Sequence, residues 1–202
     1  RFEPVLSTGR VPLRPERLCR ELTRLLPPDA LVVADTGHAG MWTGGMLDLD
    51  SPGHGYIRAA GSLGWALPAA LGAALSSPAR PVVAFTGDGG LWYHVAELAT
   101  AVRWGIGAVI IVNDNRSLNQ EIHPYTAAYG GRLRGRHGEL WKFTDVDLAA
   151  VARSMGAIGL RVSDPDRIET TLASAFSQAA EGRTVLVDAV TDVSATAPLA
   201  IG

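Results

Sequence analysis

The sequence predicts an α/β protein: a doubly wound, mostly parallel sheet with helices on both faces. Two observations carry this. Short apolar runs rich in Val, Ile and Ala alternate along the chain with stretches of helical period, the pattern of strand–helix–strand units. The runs are also apolar throughout rather than alternating, as strands covered on both faces are.

The elements follow in order. Residues 1–14 read as a linker, because Pro4, Gly9 and Pro12 interrupt any period. Residues 15–26 read as a helix, with Leu18, Leu22, Leu25 and Leu26 on one face. Residues 30–35 (ALVVAD) form the first buried strand. TGHAG then turns the chain, and a helix is expected over 41–49. GYIRAAG, residues 55–61, is the second strand, and the small-residue run 62–75 a packed helix despite Pro68. PVVAFTGDG, residues 81–89, is the third strand. Leu91, Val95, Leu98, Ala99 and Val102 then fall at helical spacing up to a stop at Gly105. AVIIVND, residues 108–114, is the fourth strand, followed by a long polar loop. A helix over 146–155, a strand over 157–162, a helix over 164–180 and a last strand over 184–190 complete the chain. Asp164-Pro165 and Gly182 punctuate that last helix. There is no internal repeat and no low-complexity tract.

Bulk properties narrow the function. A chain of 202 residues, 47% hydrophobic and 19% charged, suits one globular domain. A net charge of −2 supplies no field for nucleic acid or an anionic membrane. No run approaches the roughly 20 apolar residues of a membrane span. The lone Cys19 permits no internal disulfide, which fits a reducing compartment such as the cytoplasm. The start at Arg1 suggests a fragment or a processed chain. The basic stretch GGRLRGRHG, residues 130–138, reads either as a solvated loop or as a loop closing over an anionic ligand.

Asp88 and Asn115 are the informative pair. In open parallel sheets ligands bind at the carboxyl ends of the strands. Asp88 follows the third strand and Asn115 the fourth, 27 positions on, one crossover away. Both side chains can therefore reach one crevice. A hard anionic oxygen beside a neutral one suits Mg²⁺, which takes oxygen ligands at ~2.0–2.1 Å and often shares phosphates. Gly87, Gly89 and Gly90 leave room for a diphosphate near backbone N–H groups, and the following helix turns its positive end toward it.

GDG, a helix, an apolar strand and an Asn-containing close together resemble the thiamine-diphosphate (ThDP) motif. VVADTGHAGMW (32–42), AAGSLGWALPAALGAAL (59–75), ELATAVRWGI and TVLVDAVTDVSATAPLA are similar to stretches of acetolactate synthases and related 2-oxo acid enzymes. The resemblance spans roughly residues 15–199 and implies the diphosphate-binding (PP) domain of a ThDP-dependent enzyme, here residues 15–202. It implies Asp88, Asn115 and the Ser117 carbonyl as Mg²⁺ ligands. It implies diphosphate contacts from Gly87, Gly89 and Gly90, and from Gly37, His38 and Ala39 on the other side. The synthases usually carry an amide and a histidine where this chain has His38 and Ala39. His38 is thus a phosphate donor or an ordinary turn residue. Gly61 would meet the pyrimidine by backbone. Leu63 falls where the family has a bulky apolar residue that bends the cofactor, so that its own amino group can take the C2 proton.

The family's chemistry is addition of that carbon to a 2-oxo acid and loss of CO₂, with the ring as electron sink. The activating glutamate belongs to a pyrimidine-binding (PYR) domain, for which this sequence shows no second α/β unit. The chain is therefore expected to carry half a site. Its PYR partner comes from a longer chain or another subunit, in a homodimer or homotetramer. Synthases carry an apolar stretch after the motif; this chain has Asn119, Gln120 and Glu121. Glu121 lies where non-oxidative decarboxylases place an acidic residue that carries a proton. A buried carboxyl there would have a raised pKa; the other reading is an exposed Glu at a helix start. The leading expectation is a lyase or carboligase resembling acetolactate synthase. The alternatives are a decarboxylase, an oxidase with FAD in the full-length enzyme, or a non-catalytic ThDP-fold dimerisation module. His54, His94 and His137 have no metal-ligand spacing, Trp92 and Tyr93 read as packing, and Glu97 and Arg103 as solvated.

Overall fold

The computed structural model describes residues 3–132 and 135–197. Leu133 and Arg134 of the basic loop, and residues 198–202 of the expected domain, lie outside the described residues. Among the described residues six strands, β1 (Leu31–Ala34), β2 (Gly55–Arg58), β3 (Val82–Gly87), β4 (Ala108–Asp114), β5 (Ile158–Val162) and β6 (Thr184–Val190), form one sheet. Their order is β2-β1-β3-β4-β6-β5, and every pairing is parallel. β3, β4 and β6 are the most deeply covered strands, as their unbroken apolar runs require.

Two cores fill the two faces. On one, Leu18, Leu22 and Trp42 pack with Val32, Phe85, Ile111 and Val187. The helices α2 (Pro15–Leu25), α3 (His38–Met46) and α9 (Ile168–Ala180) cover it. On the other, Leu67, Leu91 and Leu98 pack with Val33, Ile110 and Leu186. There α4 (Ala66–Ser76), α5 (Asp88–His94), α6 (Glu97–Arg103) and α8 (Leu148–Ser154) lie over the sheet. The short helices α1 (Glu3–Leu6) and α7 (Ile122–Ala128) lie outside this frame. Among the described residues no helix is long and apolar enough to cross a membrane.

Four local departures from the sequence-based expectation have physical causes. Gly37 takes φ +69°, a value L side chains rarely adopt, so the chain turns directly off β1 into α3. The helix thus starts at His38 rather than at Met41. Gly61 and Gly64, at φ +108° and +89°, hold residues 61–64 as a loop, and α4 begins only at Ala66. Pro68 is tolerated because the first helical N–H groups have no intrahelical partner. The helix expected through 91–102 divides into α5 and α6, where Val95 and Ala96 carbonyls accept from Leu98 and Ala99, three residues on. Leu13, within the expected linker, is fully buried; its N–H donates to Val190 O at 3.2 Å and its carbonyl accepts from Asp192 N at 2.8 Å.

The strand order places the site. From β1 the chain passes to β2 on one side and then to β3 on the other. The helix after β1 joins the first core and the helix after β3 the second. Between the tips of β1 and β3 the connections therefore diverge, leaving a crevice at the topological switch point.

Candidate functional site

A cleft of about 280 Å³ opens at these tips. Four stretches wall it: Thr36–Ala39 after β1, Gly61 and Leu63 before α4, Gly87–Gly90 at the β3–α5 junction, and Asn113–Glu121 leaving β4. Every site residue expected from the sequence lines it: Gly37, His38, Ala39, Gly61, Leu63, Gly87, Asp88, Gly89, Gly90, Asn115, Ser117 and Glu121.

Asp88 is the first residue of α5 and 4% exposed. Its Oδ1 accepts from Gly89 N and its Oδ2 from Ser117 N, both at 2.9 Å. Parallel register sets Gly87 beside Asn113, so the exits of β3 and β4 lie side by side. Burial pushes the Asp88 carboxyl up to about 7; the nearby charge of Asp114 adds to this, and the two N–H donors oppose it. Asn115 Oδ1 and Ser117 Oγ are buried with no hydrogen-bond partner. A desolvated carboxylate beside an orphaned carboxamide oxygen is a set that a hard divalent cation would satisfy. The residues present thus fit Mg²⁺.

The glycines divide into two kinds. A Cβ built on Gly61 or Gly87 meets nothing within 4 Å, so both leave open cleft floor. A Cβ on Gly90 would lie 2.5 Å from Thr86 Oγ1 and 2.9 Å from Asp35 Oδ2, so Gly90 serves close helix–strand packing. At Gly89 the neighbour is Leu118 Cδ2, at 2.5 Å. Gly61 and Gly87 therefore leave the cleft open, with Gly89 and Gly90 framing it.

His38, half-buried in the first turn of α3, has its pKa lowered by burial and then by His123, and its Nδ1 has no partner. It stands on the cleft wall, where burial favours its neutral form. Leu63 is half-buried and also lines the cleft. Glu121 ends a 3₁₀ turn, Asn119–Glu121, on the cleft rim. Its side chain is exposed, not buried: the turn carries it to the outer edge, where only a further covering element would desolvate it. Asn119 lines the cleft and donates Nδ2 to Val193 O at 2.8 Å and Ala195 O at 3.0 Å. It anchors the turn to the C-terminal segment. The excursion after the turn is closed at its base by Leu118 N to Trp141 O and Phe143 N to Arg116 O, each 2.7 Å. Tyr125 stacks on Trp141 at 5.5 Å between centroids. None of the described arginines of residues 130–138 lines the cleft, and Arg136 pairs instead with Glu139 at 2.6 Å.

Sequence reasoning passed over Asp35, Asn113, Asp114 and Thr86. Asp35 is fully buried and accepts from Thr36 N, Gly64 N and Thr86 Oγ1 at 2.8–2.9 Å. The available signal was a carboxylate ending an apolar parallel strand, the same signal that singled out Asp88. Behind Asp88, Asp114 lies next to Asp188, whose Oδ2 is 3.1 Å from Arg161 and accepts from Leu148 N at 3.1 Å. Burial, and then the charge of Asp114, push the Asp188 carboxyl up to about 7.

Residues 35–189 match the family model described as thiamine pyrophosphate enzyme, C-terminal TPP binding domain. The chain is 33% identical over 184 residues to the acetolactate synthase large subunit of Haemophilus influenzae, covering 90% of this chain and 31% of that protein. It is 36% identical over 194 residues to acetolactate synthase large subunit IlvG of Mycobacterium tuberculosis, covering 96% and 34%. A sulfoacetaldehyde acetyltransferase of Alcaligenes xylosoxydans is 30% identical over 183 residues, covering 90% and 30%. The chain thus spans about a third of the length of these relatives.

Proposed function

The chain belongs to the thiamine pyrophosphate enzyme family as a C-terminal TPP binding domain, and from that premise we propose that it holds ThDP through Mg²⁺ for the processing of 2-oxo acids. The observation that carries the reading is that the buried Asp88 carboxylate and the orphaned Asn115 Oδ1 line the same cleft. Asp88 Oδ, Asn115 Oδ1 and the Ser117 carbonyl are the protein's share of the Mg²⁺ shell. Gly61 and Gly87 leave the floor open, and His38, as a neutral donor, faces the phosphates. When bound, ThDP supplies the electron sink for cleaving or forming a bond at the carbonyl carbon. Leu63, on the cleft, would pack against the bound cofactor and favour its bent shape. The Glu121 carboxyl, at the rim, holds or gives a proton on the side from which substrate enters.

The reading has a structural corollary. A cleft walled by one domain leaves its outer side open, so a PYR domain from elsewhere in a longer chain, or from another subunit, closes it and supplies the activating glutamate. Where that PYR domain is another subunit's, a homodimer or homotetramer follows. Among reactions, carboligation of the acetolactate synthase kind leads, because relatives so named match most of this chain. Non-oxidative decarboxylation is the second reading, favoured by a carboxyl at Glu121 on the rim. An FAD-containing oxidase, or a ThDP-fold module without turnover, has no observation of its own in the cleft. The discriminating experiment supplies the full-length protein with ThDP, Mg²⁺ and a panel of 2-oxo acids, and identifies products by mass. Two-carbon transfer products support carboligation, and aldehydes alone support the decarboxylase. No ThDP-dependent product from any 2-oxo acid overturns the reading.

A further inference from the structure

We infer that Asp35 is a positioning residue that sets Leu63 against the cofactor, an inference that rests on the ThDP reading above. Asp35 lies one residue beyond β1, fully buried, and stands on none of the cleft's walls itself. Burying a carboxylate is costly unless donors satisfy it. Here the donors come from three separate parts of the site. Oδ1 accepts from Thr36 N at 2.8 Å and from Gly64 N at 2.9 Å; Oδ2 accepts from Thr86 Oγ1 at 2.8 Å. Thr36, Leu63 and Gly87, each a cleft wall, are these donor residues or their immediate neighbours. The first turn of α5 packs on the same group, since a Cβ at Gly90 would come within 2.9 Å of Oδ2. One carboxylate therefore ties three walls to one another.

The Leu63 wall needs this tie most. Residues 61–64 have glycines at both ends, Gly61 at φ +108° and Gly64 at φ +89°. Glycine gives such a segment the widest backbone freedom. Trp65 N donates to Ser62 O only at 3.4 Å, a long contact. The shorter bond from Gly64 N to Asp35 anchors the loop beside Leu63. Displacement of a substrate- or cofactor-positioning group by about 1 Å can cost roughly a hundredfold in rate. Asp35 thus acts on the chemistry through Gly64 and Leu63, without touching the cofactor.

The test uses the full-length protein with Mg²⁺ and ThDP. It reads three quantities: calorimetric ThDP affinity, the rate at which the bound cofactor's C2 proton exchanges into D₂O, and melting without cofactor. Asp35→Asn keeps the one oxygen that accepts from both N–H groups, and its amide can donate to Thr86 Oγ1 while the Thr86 proton turns to Gly87 O, 3.2 Å away. It should stay within about threefold of wild type in affinity and exchange. Asp35→Ala should keep ThDP affinity within about tenfold and slow exchange by roughly a hundredfold. Leu63→Ala should slow exchange to a similar degree, and the double variant should be no slower than Leu63→Ala. Thr86→Val, which removes one donor and preserves shape, should slow exchange about tenfold with unchanged affinity; it carries the test if Asp35→Ala does not fold. Wild-type exchange in Asp35→Ala, or in Thr86→Val when that variant carries the test, overturns the inference. So do losses that multiply in the double variant. Absence of ThDP binding by the wild-type protein would instead overturn the cofactor reading on which the inference rests.

Discussion

The backbone N–H of Ser117 donates to Asp88 Oδ2 at 2.9 Å, joining the exit of β4 to the first residue after β3. That bond aims one carboxylate oxygen at the loop that carries Asn115. With the second oxygen held by Gly89 N, the carboxylate has a single orientation. The carboxylate proposed above as a cation ligand is thus held in place before any ligand arrives, and the consequences are measurable.

The two kinds of glycine should respond differently to the same methyl group. Gly87→Ala meets open space and has an ordinary backbone, φ −90°, so folding stability should change by no more than ~1 kcal/mol. Its methyl enters the cleft, so ThDP affinity should fall. Gly90→Ala meets Thr86 and Asp35 and should destabilise the fold by about 1–3 kcal/mol. Denaturant melts and calorimetric titration of both variants check this; equal losses of stability would remove the distinction.

Glu121→Gln should slow product formation at least tenfold while leaving ThDP affinity within about twofold, since the carboxyl sits on the rim rather than the floor. Steady-state kinetics alongside cofactor titration separate the two. Unchanged turnover would make Glu121 an ordinary surface residue.

Asn119→Ala removes both bonds to the C-terminal segment, from Nδ2 to Val193 O and Ala195 O. A loss of about 1–3 kcal/mol in stability is expected, with faster proteolytic cutting between residues 119 and 141. A cutting rate equal to that of wild type would show that Asn119 does not anchor the turn.

Stability without cofactor should fall as pH rises from about 4 to 7. The folded Asp188 carboxyl is raised to about 7, first by burial, so the native state binds more protons than the unfolded chain across that window. Its contribution is most favourable at low pH and is lost as pH climbs through 7. Asp88, also raised to about 7, acts with the same sign. Asp188→Asn should therefore narrow the difference in melting temperature between pH 5 and pH 8. An undiminished difference would mean that other groups dominate.

Much of this was legible before any coordinates. Continuous apolar runs such as AVIIVND could only be strands covered on both faces, and β4 is buried at every position. The distance from Asp88 to Asn115 is one crossover, and parallel register turns that distance into adjacency. What stayed hidden depends on contacts remote in sequence. Asp35 bonds to residues 29 and 51 positions away, and no local pattern announces such partners. The start of α3 at His38 depends on one backbone angle at Gly37. The anchoring of Asn119 depends on where the segment after β6 lies. Local period and composition carry none of these.

The most direct measurement is calorimetric titration of ThDP into the full-length protein, with and without Mg²⁺, for wild type and Asp88→Ala. Mg²⁺-dependent binding in the wild type, weakened at least a hundredfold by the substitution, is the predicted result. Wild-type affinity in Asp88→Ala, or binding indifferent to Mg²⁺, would contradict the assignment of the cation to Asp88.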